Sequence, residues 1–273
     1  MKRFNVEIIR KLQGHSGCEV FLCKRNNEFT VIKSSSDQSY NDRLMAQMSK
    51  QEIFYHEEIK KPNVLRSGIE KRDKEEIFWF EMEFISGLPF FQYMETIGRE
   101  ESTGKFKRIL NFINGNNALQ ESIEVEVKEK ITSLEKKLDV EKKYYLDYVK
   151  DFEWDKIKKS YSHGDLTFEN IIVSKGDIHL IDFLDTFASS KIIDYSKLMQ
   201  DLVFGWSWRQ KDKIPFVDLM LMERELHEEL SDLDLSACKK MLVLNILRII
   251  PYSKDKTFLL DCLHYIKREF KSE

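Results

Sequence analysis

The sequence predicts an α+β protein in two lobes: a small antiparallel β-sheet with one main helix over residues 1–85, and a mostly helical lobe over 86–273. Three observations predict it. Short β-branched and aromatic runs bounded by Gly and Asn fill the first third of the chain. Past residue 90 the apolar spacing changes to the three-and-four step of helices. A single late strand pair, around 171–181, interrupts that helical part.

Taken in order, Val6–Ile9, Glu19–Cys23 and Phe29–Lys33 read as three strands, separated by Gly14-His15-Ser16-Gly17 and by Arg25-Asn26-Asn27-Glu28. From Asn41 to Lys60 the period is helical, with Leu44, Met48, Tyr55 and Ile59 on one face and a stop at Pro62-Asn63. Two more strands follow around Val64–Ile69 and Glu76–Phe84, making an antiparallel sheet of five, and Ser86-Gly87-Leu88-Pro89 ends that part. Val127, Ile131, Leu134 and Leu138 mark an amphipathic helix whose Glu- and Lys-rich remainder is a solvated face. Ile171–Val173 and His179–Ile181 flank Ser174-Lys175-Gly176-Asp177, a hairpin turn. Helices fill most of 191–271, one marked by Leu219, Met222, Leu226 and Leu230.

The chemistry concentrates in His163-Gly164-Asp165-Leu166-Thr167-Phe168-Glu169-Asn170 and in the Ile181-Asp182-Phe183 that follows the hairpin. Asp165 and Asn170 stand five apart on a loop entering a strand, and Asp182 ends the returning strand. Phosphoryl transfer needs a carboxylate near the acceptor hydroxyl and oxygen ligands for the magnesium that neutralises phosphate charge. Asp, Asn and Asp at the mouth of one hairpin meet that need. Glu52 falls on the apolar stripe of the 41–60 helix, where a carboxylate requires a cationic partner, and Lys33 is the candidate.

These residues resemble the aminoglycoside phosphotransferase and choline kinase family, small-molecule relatives of the protein kinases. The resemblance rests on H-G-D-x-x-x-x-N followed by I-D-F and covers most of residues 10–205. It implies a bilobal protein-kinase-like fold, with Asp165 as catalytic base and Asn170 and Asp182 as Mg²⁺ ligands. Lys33 resembles the strand lysine on the α- and β-phosphates of ATP, held by Glu52. Gly14, Ser16 and Gly17 resemble the nucleotide-covering loop, although Leu12 stands where that loop's first glycine belongs. Residues 80–87 resemble the interlobe hinge, which implies adenine contacts from the Glu83 carbonyl and the Ile85 N–H. Asp194 resembles an aspartate that braces the catalytic loop through backbone hydrogen bonds.

Only eleven residues separate Asp182 from Asp194, too few for the activation segment on which a protein kinase lays a peptide. A small hydroxyl-bearing acceptor is therefore expected. The run from Asp194 to Leu202 is similar to kinase-like proteins of surface-polysaccharide pathways, which favours a sugar or sugar-derived alcohol. The alternatives are an aminoglycoside or choline/ethanolamine-type acceptor, or a pseudokinase that binds nucleotide as a scaffold. The aromatic cluster Phe204-Gly205-Trp206-Ser207-Trp208 fits sugar stacking, ammonium binding or core packing equally. The acids between Glu223 and Asp234 read as a solvated helix or as a lure for a cationic acceptor. ATP and GTP are both compatible, and the oligomeric state is left open.

With Lys+Arg 44 against Asp+Glu 47, the net charge of −3 gives no overall basic field for nucleic acid. The longest apolar run, Met241–Ile250, is broken by Asn245 and Arg248, so membrane insertion is not expected. Cys18, Cys23, Cys238 and Cys262 lack paired metal-type spacing and read as reduced thiols. With no secretory leader in the Met-Lys-Arg-Phe start, a soluble, cytoplasmic enzyme is the expectation.

Overall fold

Branched and aromatic runs pair antiparallel to build the first unit. The computed structural model describes residues 2–4, 6–12, 17–253 and 256–269. The unit begins with β1 (Lys2–Arg3), β2 (Val6–Leu12), β3 (Cys18–Arg25), β4 (Glu28–Ser35) and helix α1 (Asn41–Ile53). It continues through β5 (Ile59–Lys60), β6 (Val64–Arg72), β7 (Glu75–Glu83) and β8 (Leu88–Pro89). The main sheet runs β1-β2-β3-β4-β7-β6, the five expected strands with the two-residue β1 added at one edge. Between β3 and β4, Asn26 and Asn27 both take positive φ, the conformation a two-residue hairpin turn requires and asparagine tolerates.

β7 carries apolar residues on both faces because both faces are covered. Phe78, Phe80 and Met82 pack with Val31 and Leu44 on the α1 side, while Trp79 joins Phe4, Val6, Phe21, Cys23 and Ile32 on the other. Glu81 is fully buried among these, accepting a hydrogen bond from the Thr30 hydroxyl at 2.7 Å and pairing with Arg66. A second sheet, β5-β10-β9-β8, brings in the late hairpin strands β9 (Ile171–Ser174) and β10 (Asp177–Leu180). There β5 runs parallel to β10 and β8 antiparallel to β9. These two pairings tie the hairpin to the first unit, so the units are Met1–Pro89 with Asn170–Asp185, and Phe90–Glu169 with Thr186–Glu273.

The main helix is shorter than its apolar spacing predicts. It ends at Ile53, Phe54 turns extended, and the His56 ring accepts hydrogen bonds from the Glu58 and Ile59 N–H groups at 3.1 Å each. That side-chain turn leads into β5 with no Gly or Pro to announce it. Tyr55 is consequently 85% exposed, and the buried face of α1 is Leu44, Gln47 and Gln51.

The second unit holds α2 (Phe90–Thr96), α3 (Arg99–Asn114), α4 (Glu124–Glu135), α5 (Val140–Lys150) and α6 (Lys191–Phe204). Then come α7 (Phe216–Glu228), α8 (Asp232–Ile249) and α9 (Lys256–Glu269). α6 is buried along nearly its whole length and packs against α3, α7 and α8. Ser190 caps its start, and Gly205 in the left-handed conformation (φ 60°) ends it. The expected amphipathic stripe of α4 is present, with Val127, Ile131, Leu134 and nearby Leu138 all buried. Among the described residues no helix is long and apolar enough to cross a membrane.

Candidate active site

In the first unit the site forms at the open end of the β9–β10 hairpin. Lys175 and Gly176 make the tight turn with positive φ, and Ile171 pairs with Leu180 at the far end of the ladder. One bond further, the Ile181 N–H donates to the Asn170 carbonyl at 3.0 Å, so Asn170 and Asp182 leave the same end of the ladder. Asp182 has φ of 61°, a left-handed conformation that costs a non-glycine residue about 1–3 kcal/mol and persists only where its surroundings hold it. Phe183 is buried against Phe54 with ring centroids 5.1 Å apart, and Lys50 of α1 donates to the Leu184 carbonyl at 2.7 Å. These contacts on both following residues fix the backbone that aims Asp182.

Lys33, buried on β4, donates directly to the Asp182 carboxylate. Burial lowers the proton affinity of the ammonium, but Asp182 more than restores it, and the net shift is upward, so Lys33 stays charged. The sequence-expected partner of Lys33 is Glu52, whereas the structure pairs it with Asp182. Glu52 is exposed, and its carbonyl accepts a hydrogen bond from Lys61. The apolar stripe of α1 turns through Gln51 instead, whose amide donates to the Pro62 carbonyl at 2.8 Å.

Gly14 and Ser16 lie outside the described residues. Gly17 closes that loop onto the sheet: its carbonyl accepts from the Ser36 N–H at 3.0 Å, and any Cβ on it would sit 2.6 Å from the Tyr40 ring. Only glycine permits that approach. Glu83 ends β7 with its carboxylate taking both the backbone N–H and the side-chain amide of Asn63 at 3.0 Å, and Ile85 follows, half-buried, in the irregular segment before β8.

In the second unit the residues 163–168 are held from α6 by three charged side chains in steps of three and four. Asp194 accepts the His163 N–H at 2.6 Å and the Gly164 N–H at 2.8 Å, the bracing role expected of it. Lys197 places its ammonium 3.0 Å from the Asp165 carboxylate. Asp201, fully buried, accepts the Phe168 N–H at 2.7 Å and the Ser207 N–H at 2.8 Å. Gly164 has φ of 96°, a conformation that side chains rarely adopt, which accounts for glycine between His163 and Asp165. His163 is buried with its Nδ1 accepting the Asp165 N–H at 3.3 Å, a structural role within its own loop. Phe168 anchors the loop in an aromatic cluster, edge-on to Phe90 (4.8 Å), Phe106 (6.0 Å) and Trp208 (6.1 Å).

Burial raises the Asp165 carboxyl, but Lys197, and beyond it His163 and Arg248, outweigh it, and the net shift is downward. Asp165 is therefore an ionised carboxylate at neutral pH, with its side chain 25% exposed. Asp201 moves the other way: burial, with a smaller push from the Glu169 carboxylate, raises it to about 7 against the pull of its N–H donors.

Lys197 is a site residue the sequence reading did not single out. Its signal was available in Asp194-x-x-Lys197-x-x-x-Asp201, three charges on one face of an otherwise apolar helix. Of the aromatic cluster, Trp208 is core, its indole N–H donating to Glu95 at 2.9 Å, while Trp206 is half-exposed beside Arg209. Within the 223–234 acids Glu225 pairs with Lys107, Glu229 accepts from Asn114 and Asp234 faces Lys191, which supports the structural reading of that run. Among the described residues no disulfide forms, and all four cysteines are buried.

No protein-family model matches the chain, and no curated protein matches it by sequence. Solved structures do match over nearly the whole length. A thermostable mutant of aminoglycoside phosphotransferase APH(4)-Ia, in complex with ADP and hygromycin B, superposes with a TM-score of 0.66 at 13% identity, covering 96% of this chain and 94% of that one. An aminoglycoside-3′-phosphotransferase of type VIII gives 0.58 at 16% identity, over 88% and 93% of the two chains. A protein assigned as a fructosamine-3-kinase from Haemophilus somnus gives 0.57 at 14% identity, over 96% and 92%. The chain has the fold of these phosphotransferases, the protein-kinase-like fold expected from its sequence.

Proposed function

We propose that the protein is an ATP- and Mg²⁺-dependent phosphotransferase that phosphorylates a hydroxyl of a small molecule, with a sugar or sugar-derived alcohol as acceptor. One observation carries this reading: an ionised Asp165, five residues before Asn170, continues into a hairpin that ends at a conformationally restrained Asp182 paired with Lys33. The shared fold with nucleotide-bound phosphotransferases supports it.

The donor set suits magnesium held jointly with phosphate. Among the described residues no group of three or more His, Cys, Asp or Glu could cage an ion unaided. Asn170 and Asp182 offer the few hard oxygen ligands that a magnesium ion takes when nucleotide phosphates and water complete its shell. Bound there, the ion would neutralise charge on the transferring phosphoryl group.

Every other role falls to the chain. Asp165 accepts the acceptor's hydroxyl proton and orients its oxygen; its low proton affinity keeps it ready as a hydrogen-bond acceptor across neutral pH. Lys33 leaves Asp182 to meet the α- and β-phosphates, exchanging one anionic partner for another. Gly14, Ser16 and Gly17 cover the phosphates, and the Glu83 carbonyl and Ile85 N–H read the nucleotide base. Positioning and charge stabilisation make up most of the rate enhancement, since the protein makes no covalent bond. The sugar assignment is supported by the fructosamine-3-kinase among the similar structures.

The test is Mg²⁺-dependent ADP release with a panel of sugars, amino sugars, aminoglycosides and amino alcohols, with Asp165→Asn as control. Stimulation by one class, lost in the variant, identifies the acceptor. Phosphate incorporation into added polypeptides in place of every small molecule would overturn the reading.

A further inference from the structure

From the α6 stripe we infer that Lys197 is a positioning residue for phosphoryl transfer, holding the Asp165 carboxylate in place for the acceptor hydroxyl. The inference rests on the phosphotransferase reading and extends it to a residue outside the loop and hairpin motif.

Asp194, Lys197 and Asp201 follow one another at i, i+3 and i+7, which places them on one face of α6. They meet residues 163–168 in order: Asp194 at the His163 and Gly164 N–H groups, Lys197 at the Asp165 side chain, Asp201 at the Phe168 N–H. Two of the three therefore fix backbone, and the middle one fixes the reactive side chain. The Lys197 side chain is only 11% exposed. An ammonium that deep needs a carboxylate, and its contact with the Gln200 Oε1, at 3.5 Å, is weak beside the 3.0 Å pair with Asp165. Gln200 is itself fully buried, with no partner for its amide nitrogen among the described residues, so it gives Lys197 no stronger anchor. The pair therefore holds on Asp165.

Two other groups act on Asp165: His163 two residues back on the same loop, and Arg248 from α8, while Asp194 of α6 faces the backbone N–H groups beside it. Arg248 donates to Asn245 at 3.2 Å and stacks on Phe187, which marks it as a distant contributor beside the direct contact of Lys197. Removing Lys197 thus takes away the largest influence that keeps Asp165 ionised against its partial burial, while Asp194 keeps the loop backbone in place.

The experiment has one arm that needs no substrate. Carboxyl ¹³C NMR titration of aspartate-labelled protein, with the Asp165 signal assigned by its loss in Asp165→Asn, should give a pKa below the ordinary aspartate range in the wild type. In Lys197→Met it should rise by one unit or more, and in Lys197→Arg it should stay low. The second arm is the pH profile of Mg²⁺-dependent ADP release from ATP, with water as the acceptor. Lys197→Met should lower turnover about 10–100-fold at pH 7 and move the acid limb upward, with MgATP affinity unchanged within about threefold; Lys197→Arg should restore most of the rate. In the Asp165→Asn background Lys197→Met should add little, because the two act as one unit. An Asp165 pKa that is the same in wild type, Lys197→Met and Lys197→Arg would overturn the inference, as would a full additional loss in the double variant. A wild type that neither binds MgATP nor releases ADP while the NMR shift appears would overturn the phosphotransferase reading and leave the ion pair as a structural one. Should Lys197→Met fail to fold, Lys197→Gln supplies the same comparison, and failure of every uncharged variant together with Lys197→Arg would assign the residue to the fold alone.

Discussion

Lys33 and Asp182, 149 residues apart in sequence, share an ion pair within the first unit. A buried lysine and the proposed metal ligand thus neutralise each other. Losing Asp182 strips a buried ammonium of its partner as well as removing that proposed ligand. Asp182→Ala should therefore lower the melting temperature, at a cost of about 3–5 kcal/mol for an unpaired buried charge. It should also reduce turnover on the order of 10²–10³ or more. Thermal melts alongside Mg²⁺-dependent ADP release separate the two effects.

Glu52 should be dispensable. It is exposed and has no part in holding Lys33, so Glu52→Gln should leave stability within about 0.5 kcal/mol and MgATP affinity within about twofold. Gln51→Ala, in contrast, removes a buried amide that donates to the Pro62 carbonyl and should cost about 1–3 kcal/mol in denaturant unfolding.

Asp194→Asn replaces an acceptor of two backbone N–H groups with a group that presents one acceptor oxygen and one NH₂ donor. One of the His163 and Gly164 N–H groups then faces another donor in a buried site. The expected result is a loss of about 1–3 kcal/mol and a fall in kcat larger than any change in MgATP affinity, since Asp165 sits on the loop that loosens and Lys33 does not.

Asp201 should make stability fall with rising pH. Its folded-state pKa, about 7, lies above the ordinary aspartate value of 3.8, so the folded chain binds this proton more tightly than the unfolded chain. The contribution is fully present below about pH 4 and is lost as pH rises through about 7, on the order of a few kcal/mol. Asp201→Asn does not titrate, so the wild-type-minus-variant difference in unfolding free energy should decline between pH 5 and pH 8. A difference that stays flat across that range would show Asp201 ionised throughout, held by the Phe168 and Ser207 N–H groups.

The residues from His163 to Asp182 were legible because their chemistry is local: loop, strand, turn and returning strand lie within twenty consecutive positions, and the turn residues Lys175-Gly176 announce the hairpin. Much of the sheet was legible for the same reason, with Gly17 before β3, Asn26-Asn27 between β3 and β4, and Pro62-Asn63 before β6. The end of α1 was not, because a histidine side chain terminates it and the apolar spacing ran on by chance through Tyr55 and Ile59. That overrun alone placed Glu52 on the buried face. Lys197 escaped because its partner lies 32 positions back on another element, and only the packing of α6 against residues 163–168 brings them together. Trp208 reads from sequence as an exposed aromatic or as core with equal ease, and its burial follows from Phe91 and Phe168, which sequence proximity does not reveal.

Calorimetric titration of ATP with and without Mg²⁺ is the decisive measurement for the proposed binding of MgATP by the hairpin end and Lys33. The expected result is Mg²⁺-dependent binding by the wild type, retained in Asp165→Asn, with the Mg²⁺ dependence lost in Asp182→Asn. No binding, or binding that is indifferent to Mg²⁺ and to Asp182, would contradict it.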